Sequence, residues 1–526
     1  MKLNLENLAK ANEKVDKKVS YDVKQLREDS IRDPKWLAFG SGNIFRAYIA
    51  RIGQDLVNEG YFDRGISVVE TFDTEIIEKT YKPFDNLCLS VTLHKDGNFD
   101  TNLIANLAES LTLEDLDRIT EIFLNDNLQI ASFTITEKGY NLYAPNGELM
   151  DVVKDDLENN PEDSKHLMSI VTNLLYKRFN KNEKPLTLLS LDNCSENGDK
   201  VKASVMLIAN KWNENGKVSD EFINYLEEKV SFPLTMIDKI TPRPAEEVKK
   251  YVEDLGFEDM DIVVTQKNTY TAPFVNSEES EYLVMEDDFK NGRPDFTKAG
   301  VFLTDRDTVN KVETMKVTTC LNPLHTVLAT YGCVLGHTTI AEEMQDEDLV
   351  KLIKKIGYDE GLKVVVDPGI INPKDFIDEV INVRFPNKFM PDTPQRIATD
   401  TSQKISVRFG QTIKGYIKDK GLKVEDLKFI PLALAGYLRY LLSVNDEGEA
   451  FELSSDPMMD YLQESLEGIS LGNFKVTEGL KDILRNKEIF GIDLEEVGLD
   501  KIVIGYFEEL SAGPGSVRAT LKKYLG

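Results

Sequence analysis

Three side chains able to do proton chemistry fall within one short stretch. KVTTCLNPLH, Lys316 to His325, brings a lysine, an amide and an imidazole to the head of the apolar run TVLATYGCVLGH. A lysine can carry a proton, an amide can donate to an oxygen that gains negative charge, and an imidazole can orient a hydroxyl. No metal-ligand spacing surrounds them, and the sequence has only four histidines. Lys316, Asn322 and His325 therefore suit a metal-free site that moves a proton while holding a hydroxyl or carbonyl oxygen. The same residues would also make a plain polar helix entrance, with Asn322 capping ahead of Pro323 and His325 buried. The elements upstream weigh between the two readings.

WLAFG, Trp36 to Gly40, is a short apolar run ending in glycine, and SGNIFRAYIARIGQDLVNEG follows with apolar residues at helical spacing. Strand, glycine turn and helix open a dinucleotide-binding βαβ unit. Gly40 would allow the tight turn and Gly42 the close approach of a pyrophosphate, with Asn43 beside it. Phe45 stands where a third glycine is usual, which should push the helix away from the sheet. Arg46, in the first helical turn, would add charge to the phosphate-receiving helix start. GISVVE ends at Glu70, about where an acidic residue accepts the ribose hydroxyls of NAD, and Asp73 offers the same role.

Further strands follow the same plan. Leu128 to Tyr140 reads as a later strand that puts Thr136 and Glu137 at its carboxyl end, the edge where open α/β sheets bind ligands. PLTLLSLDN carries Asp192 and Asn193 to a similar edge, and MIDKITP sets Asp238 before a proline-punctuated loop. Residues 1 to 34 read as a polar surface lead-in, and the segment from Tyr282 to Phe296 as acidic and irregular. Beyond about residue 310 the pattern turns to helices. The domains expected are 1–308, an α/β parallel-sheet domain carrying the cofactor, and 309–526, a helical domain for substrate and catalysis.

Composition narrows the partners. With 526 residues, two or more domains are expected, and a net charge of -28 disfavours nucleic acid or an anionic membrane surface. An anionic small substrate would need a local basic pocket. Four scattered cysteines without a CxxC pair fit neither a disulfide scaffold nor a zinc site. No apolar run approaches the roughly 20 residues of a membrane span, and the N-terminus lacks a signal-peptide core. The expectation is a cytoplasmic protein with a small-molecule substrate, no metal and no obligatory protein partner.

FGSGNIFRAY, TITEKGY, LDN, MIDKITP, MEDDFKNGRPDFTKAGV, VETMKVTTCLNPLH and FMPDTPQRIATDTSQKI, running in that order from about residue 36 to 410, together resemble the polyol-specific long-chain dehydrogenases. That family includes mannitol 2-dehydrogenase and the reductases of fructuronate and tagaturonate. The resemblance implies a Rossmann domain followed by an all-helical domain, an active site in the cleft between them, NAD as cofactor and no zinc. It gives Lys316 the role of general base or acid, with Asn322 and His325 as its partners and Asn193 and Asp238 as further polar residues of the site. A free lysine, with a pKa of about 10.4, is a poor base near neutrality, so the role calls for burial or positive neighbours.

This chain departs from the family in one respect. The family has four residues between the lysine and the asparagine, and here there are five, Val317 to Leu321. At about 100° per residue, the family's lysine and histidine sit about 80° apart, whereas Lys316 and His325 would point to opposite sides of a regular helix. A one-residue π-bulge would restore convergence, and the β-branched run Val317-Thr318-Thr319 would tolerate it. For the far end of the substrate, Arg384, Arg396 and Lys404 are the candidate partners of a carboxylate, with Arg243 and Arg293 as others; each could equally serve an ion pair in an acidic protein. The cluster favours an acidic substrate, and the EDDF and DTPQRIATDTSQK segments look nearer to the fructuronate reductases than to the mannitol enzymes; mannitol 2-dehydrogenase and tagaturonate reductase are the alternatives. A catalytically inactive NAD-binding protein is the alternative of a different kind.

Overall fold

The structure is a computed structural model that describes all 526 residues. It divides into two compact units, Met1–Val309 and Asn310–Gly526.

The first unit is built on six parallel strands: β1 (Trp36–Phe39), β2 (Ile66–Glu70), β3 (Leu107–Thr112), β4 (Ile130–Phe133), β5 (Leu186–Ser190) and β6 (Val230–Ser231). Their order is β3-β2-β1-β4-β5-β6, which reverses between β1 and β4 as in dinucleotide-binding folds. WLAF, ISVVE, IASF and LTLLS are continuous apolar or small runs because both faces of a parallel sheet are covered. In β1, Leu37 and Phe39 enter the core on one face, while Trp36 and Ala38 enter the core on the other. A helix continues from the β1 turn as a π-helical turn, Phe45–Ile49, followed by α1 (Ala50–Asn58). The bulky Phe45 is fully buried there, and the wider π turn gives it room.

Two small sheets flank this core. Cys88–Leu93 pairs with Phe99–Ile104 and with Phe274–Glu278. Tyr282–Glu286, at the start of the segment expected to turn acidic and then irregular, is a strand paired antiparallel with Thr235–Asp238 and parallel with Phe302–Thr304. The expected lead-in is also folded: Leu8–Glu13 and Val23–Arg32 are helices, the second capped by Asp22, and Leu3 and Ala11 are buried.

The second unit is helical. Its centre holds α2 (Asn322–Leu335) and α3 (Phe429–Tyr440), both buried almost throughout. They pack closely where Gly436 lacks a side chain, since a Cβ there would stand 2.3 Å from the Tyr331 ring. Tyr331 donates its hydroxyl to the Leu432 carbonyl at 2.8 Å. The start of α3 is held by Glu360, whose carboxylate accepts the amides of Lys428, Phe429 and Ile430 at 2.6, 2.8 and 2.7 Å. Those amides would otherwise be orphans of the helix end.

Candidate active site

Lys316 opens a π-helical turn, Lys316–Cys320, directly ahead of α2. The widened loop is explicit in its bonding: Leu321 N–H donates to the Lys316 carbonyl, five residues back, at 3.1 Å. Ordinary helical bonding resumes with His325 N–H to the Leu321 carbonyl at 3.0 Å. One residue is thus absorbed without a matching rotation, so Lys316 and His325 are offset as if eight apart, about 80° around the axis. Thr318 fits the turn by donating its hydroxyl to the Thr314 carbonyl at 2.7 Å, and the Thr412 hydroxyl reaches the Thr318 carbonyl at 3.3 Å. Lys316 is 6% exposed.

His325 lies in a cationic surrounding. Burial lowers its pKa to about 3, helped by Arg408, Arg384, Arg396 and Lys404 in that order. The ring is therefore neutral at ordinary pH. It rests against Phe385, centroids 5.1 Å apart. Nε2 lies 3.6 Å from an Asp392 oxygen, too far for a hydrogen bond, and has no other partner. The other Asp392 oxygen is taken by Arg396, which limits its pull on the imidazole.

The second unit thus collects three of the predicted cations, Arg384, Arg396 and Lys404, around one histidine, whereas Arg293 pairs with Asp287 and Arg243 lies over the Tyr270 ring in the first unit. The second unit adds Arg408, which the sequence reading missed. Arg408 donates to the Thr326 hydroxyl, which in turn donates to the Asn322 carbonyl at 3.0 Å, and burial lowers its pKa to about 10. Lys404 donates to the Thr399 carbonyl, and burial followed by Arg408 pulls its pKa down. The signal for Arg408 was present, since it follows Lys404 by four residues and shares its helical face.

The first unit supplies a glycine turn. Gly40 has φ +97°, and a Cβ there would stand 2.1 Å from the Thr134 carbonyl oxygen, so no other residue fits. At Gly42 a Cβ would meet nothing within 4 Å, which leaves open space beside the backbone where a diphosphate can approach. Glu70 is placed otherwise than expected. It is buried, and its oxygens accept the Ser41 amide (3.1 Å) and hydroxyl and the amides of Phe72 (2.9 Å) and Asp73 (3.0 Å). Four donors fill a carboxylate's capacity, so Glu70 fixes the turn and does not present oxygens to a ribose. Asp73 is also turned inward and accepts the Thr265 hydroxyl at 2.6 Å.

Arg46, expected at the phosphate, is 1% exposed and donates to the Ala272 carbonyl (2.6 Å), the Thr271 hydroxyl (3.1 Å) and the Asn43 side chain (3.0 Å). Its guanidinium also lies over the Tyr81 ring, whose hydroxyl donates to the Ser41 carbonyl at 2.7 Å. Arg46 and Asn43 therefore brace the turn from behind.

At the carboxyl end of β4, Thr136 has φ +64°, and its amide and that of Ile135 donate to Asp192 at 3.0 and 2.9 Å. Asp192 thus ties the end of β5 to that of β4 and leaves the neighbouring Asn193 exposed. Glu137 pairs with Lys200 at 3.1 Å on the surface. Asp238 is buried at the end of its strand. No group of three or more His, Cys, Asp and Glu side chains is arranged to hold a metal ion, and no helix is long and apolar enough to cross a membrane.

The chain matches the mannitol dehydrogenase Rossmann domain over residues 34–298 and the mannitol dehydrogenase C-terminal domain over residues 308–505. D-mannonate oxidoreductase of Thermotoga maritima is 48% identical over 536 residues, spanning 100% of this chain and 99% of that relative. Among solved structures, substrate-free D-sorbitol dehydrogenase has a TM-score of 0.81 at 25% identity over 100% of both chains. The ternary complex of Pseudomonas fluorescens mannitol 2-dehydrogenase with NAD and D-mannitol has the same fold, with a TM-score of 0.71 at 24% identity over 100% of this chain and 99% of that one.

Proposed function

The chain belongs to the mannitol dehydrogenase family, and on that premise we propose that it is an NAD-dependent D-mannonate oxidoreductase, interconverting D-mannonate and fructuronate in the cytoplasm. Residues 1–308 hold the cofactor and 309–526 the substrate end of the reaction. The observation that carries the substrate class is the convergence of Arg384, Arg396, Lys404 and Arg408 on His325. In a chain of net charge -28, four cations brought to one histidine suit a carboxylate-bearing substrate, which a simple polyol would not require.

Open space at Gly42 fits the diphosphate of a dinucleotide, and the Gly40–Gly42 turn, braced by Glu70 and Arg46, would hold it. The bound nicotinamide supplies hydride transfer. The chain's own residues do the rest. Lys316 Nζ takes the hydroxyl proton in oxidation and returns it in reduction. Asn322 donates to the oxygen that gains charge. His325, neutral and with Nε2 unpartnered, accepts from a substrate hydroxyl and fixes the sugar chain. The cations neutralise the distal carboxylate, and Asp392 holds Arg396 in place.

The test is NADH oxidation by the purified protein with fructuronate, tagaturonate and fructose, each with chelator present. Turnover of fructuronate that survives chelator is expected. Turnover of fructose alone would move the protein to the mannitol branch, and no turnover despite NADH binding would favour an inactive binding protein.

A further inference from the structure

The turn after β2 presents a ring and a lysine outward where acidic residues were expected. Phe72 stands between Glu70 and Asp73 and is 67% exposed, the most exposed of the large apolar side chains. Lys267 Nζ lies 4.1 Å over its ring and also donates to the Phe72 carbonyl. The loop carrying Lys267 is docked on this turn at two further points: the Thr265 hydroxyl on Asp73 at 2.6 Å, and the Gln266 amide on Glu75 at 3.1 Å. Glu75 is itself paired with Lys79. Because Glu70 also holds Ser41, this surface adjoins the glycine turn.

In a sheet of this order, the carboxyl end of β2 faces the adenosine half of the dinucleotide. Selection for NAD there rests on a carboxylate that accepts the ribose 2′-hydroxyl and repels a phosphate, whereas a cation nearby accommodates a 2′-phosphate. Both carboxylates of this turn point inward, and the outward charge is Lys267. We propose that Phe72 and Lys267 form the adenosine wall of the cofactor site, the ring stacking on adenine and the ammonium meeting a 2′-phosphate, so that the chain takes NADPH as well as NADH. The inference rests on the nicotinamide-enzyme reading above.

The test is direct titration of the whole protein with NADH and NADPH, followed by nicotinamide fluorescence without any sugar. Wild type is expected to bind NADPH within about tenfold of NADH. Both Lys267→Met and Lys267→Glu should weaken NADPH at least about tenfold more than NADH, the range of one charge-assisted hydrogen bond. Phe72→Ala should weaken both nucleotides about tenfold, as loss of one stacked base does. NADH binding with NADPH weaker by about a thousandfold or more, or lysine variants that shift both nucleotides equally, would overturn the adenosine wall alone. Binding of neither nucleotide would overturn the cofactor reading together with it.

Discussion

The neutrality of His325 is open to direct measurement. The ring is 16% exposed, and its pKa falls from 6.5 to about 3, burial first and then Arg408, Arg384, Arg396 and Lys404. That displacement is worth roughly 5 kcal/mol against the imidazolium. The folded value lies below the unfolded one, so the unfolded chain takes the proton first as pH falls. His325 therefore leaves stability untouched above about pH 6.5 and erodes it progressively down to about pH 3. At pH 5 the cost is about 2 kcal/mol, a sizeable part of the roughly 5–15 kcal/mol that holds a domain folded. The assay is an NMR titration of histidine-labelled protein, with the His325 signal assigned from His325→Gln. His94, where burial pulls the pKa down but Glu279 and Asp100 together raise it above 6.5, gives an internal comparison. His325 should keep the chemical shifts of a neutral ring down to pH 5. Arg408→Gln should raise its midpoint while leaving it below 6.5, because burial remains. A His325 midpoint at or above 6 in the wild type would refute the reasoning.

Lys316→Ala should lower turnover by about 10²–10⁴-fold, the usual range for a lost proton carrier, with NADH affinity measured by fluorescence nearly unchanged; a variant keeping more than a tenth of wild-type rate would refute the assignment. Glu70→Gln should loosen the glycine turn and weaken NADH and NADPH together, and a selective gain in NADPH binding would show that the carboxylate faces the ribose after all. Glu343 is buried with neither oxygen partnered, and burial, then Asp346 and Glu342, hold its pKa well above 4.5. Its folded value exceeds the unfolded one, so it costs stability increasingly as pH rises above 4.5. Glu343→Gln should flatten the decline in melting temperature between pH 5 and pH 8, and an unchanged slope would count against this. Gly436→Ala should destabilise by about 1–3 kcal/mol, read by denaturant unfolding, since its Cβ would meet the Tyr331 ring.

Legibility in the sequence followed how locally each feature is determined. WLAF and ISVVE announced parallel strands because burial on both faces leaves a continuous apolar run. The π turn at Lys316–Cys320 became legible through the family resemblance, which implies four residues where Val317–Leu321 has five, together with the fixed rotation per residue of a helix. The sheet of Cys88–Leu93, Phe99–Ile104 and Phe274–Glu278 escaped because one of its strands comes from far along the chain and because Ser90, Asn102 and Asn276 are buried within it. Glu70 was placed correctly at the strand end, yet its direction could not be read there. A carboxylate facing Ser41 and one facing a ribose have the same sequence, and only the folded turn distinguishes them. Arg46 was misread for the same reason, its partners Thr271 and Ala272 lying more than two hundred residues away.

The π turn at Lys316–Cys320 separates chain length from side-chain direction. A π turn stores a residue as girth rather than as rotation, so the count between Lys316 and His325 does not measure the angle between them. Comparing chains that differ by such a turn through residue count alone would misjudge which side chains share a face. Matching by axial angle keeps Lys316 and His325 together. The other π turns of the chain, among them Val380–Arg384 and Ser406–Gly410, which carry Arg384 and Arg408, invite the same way of comparing.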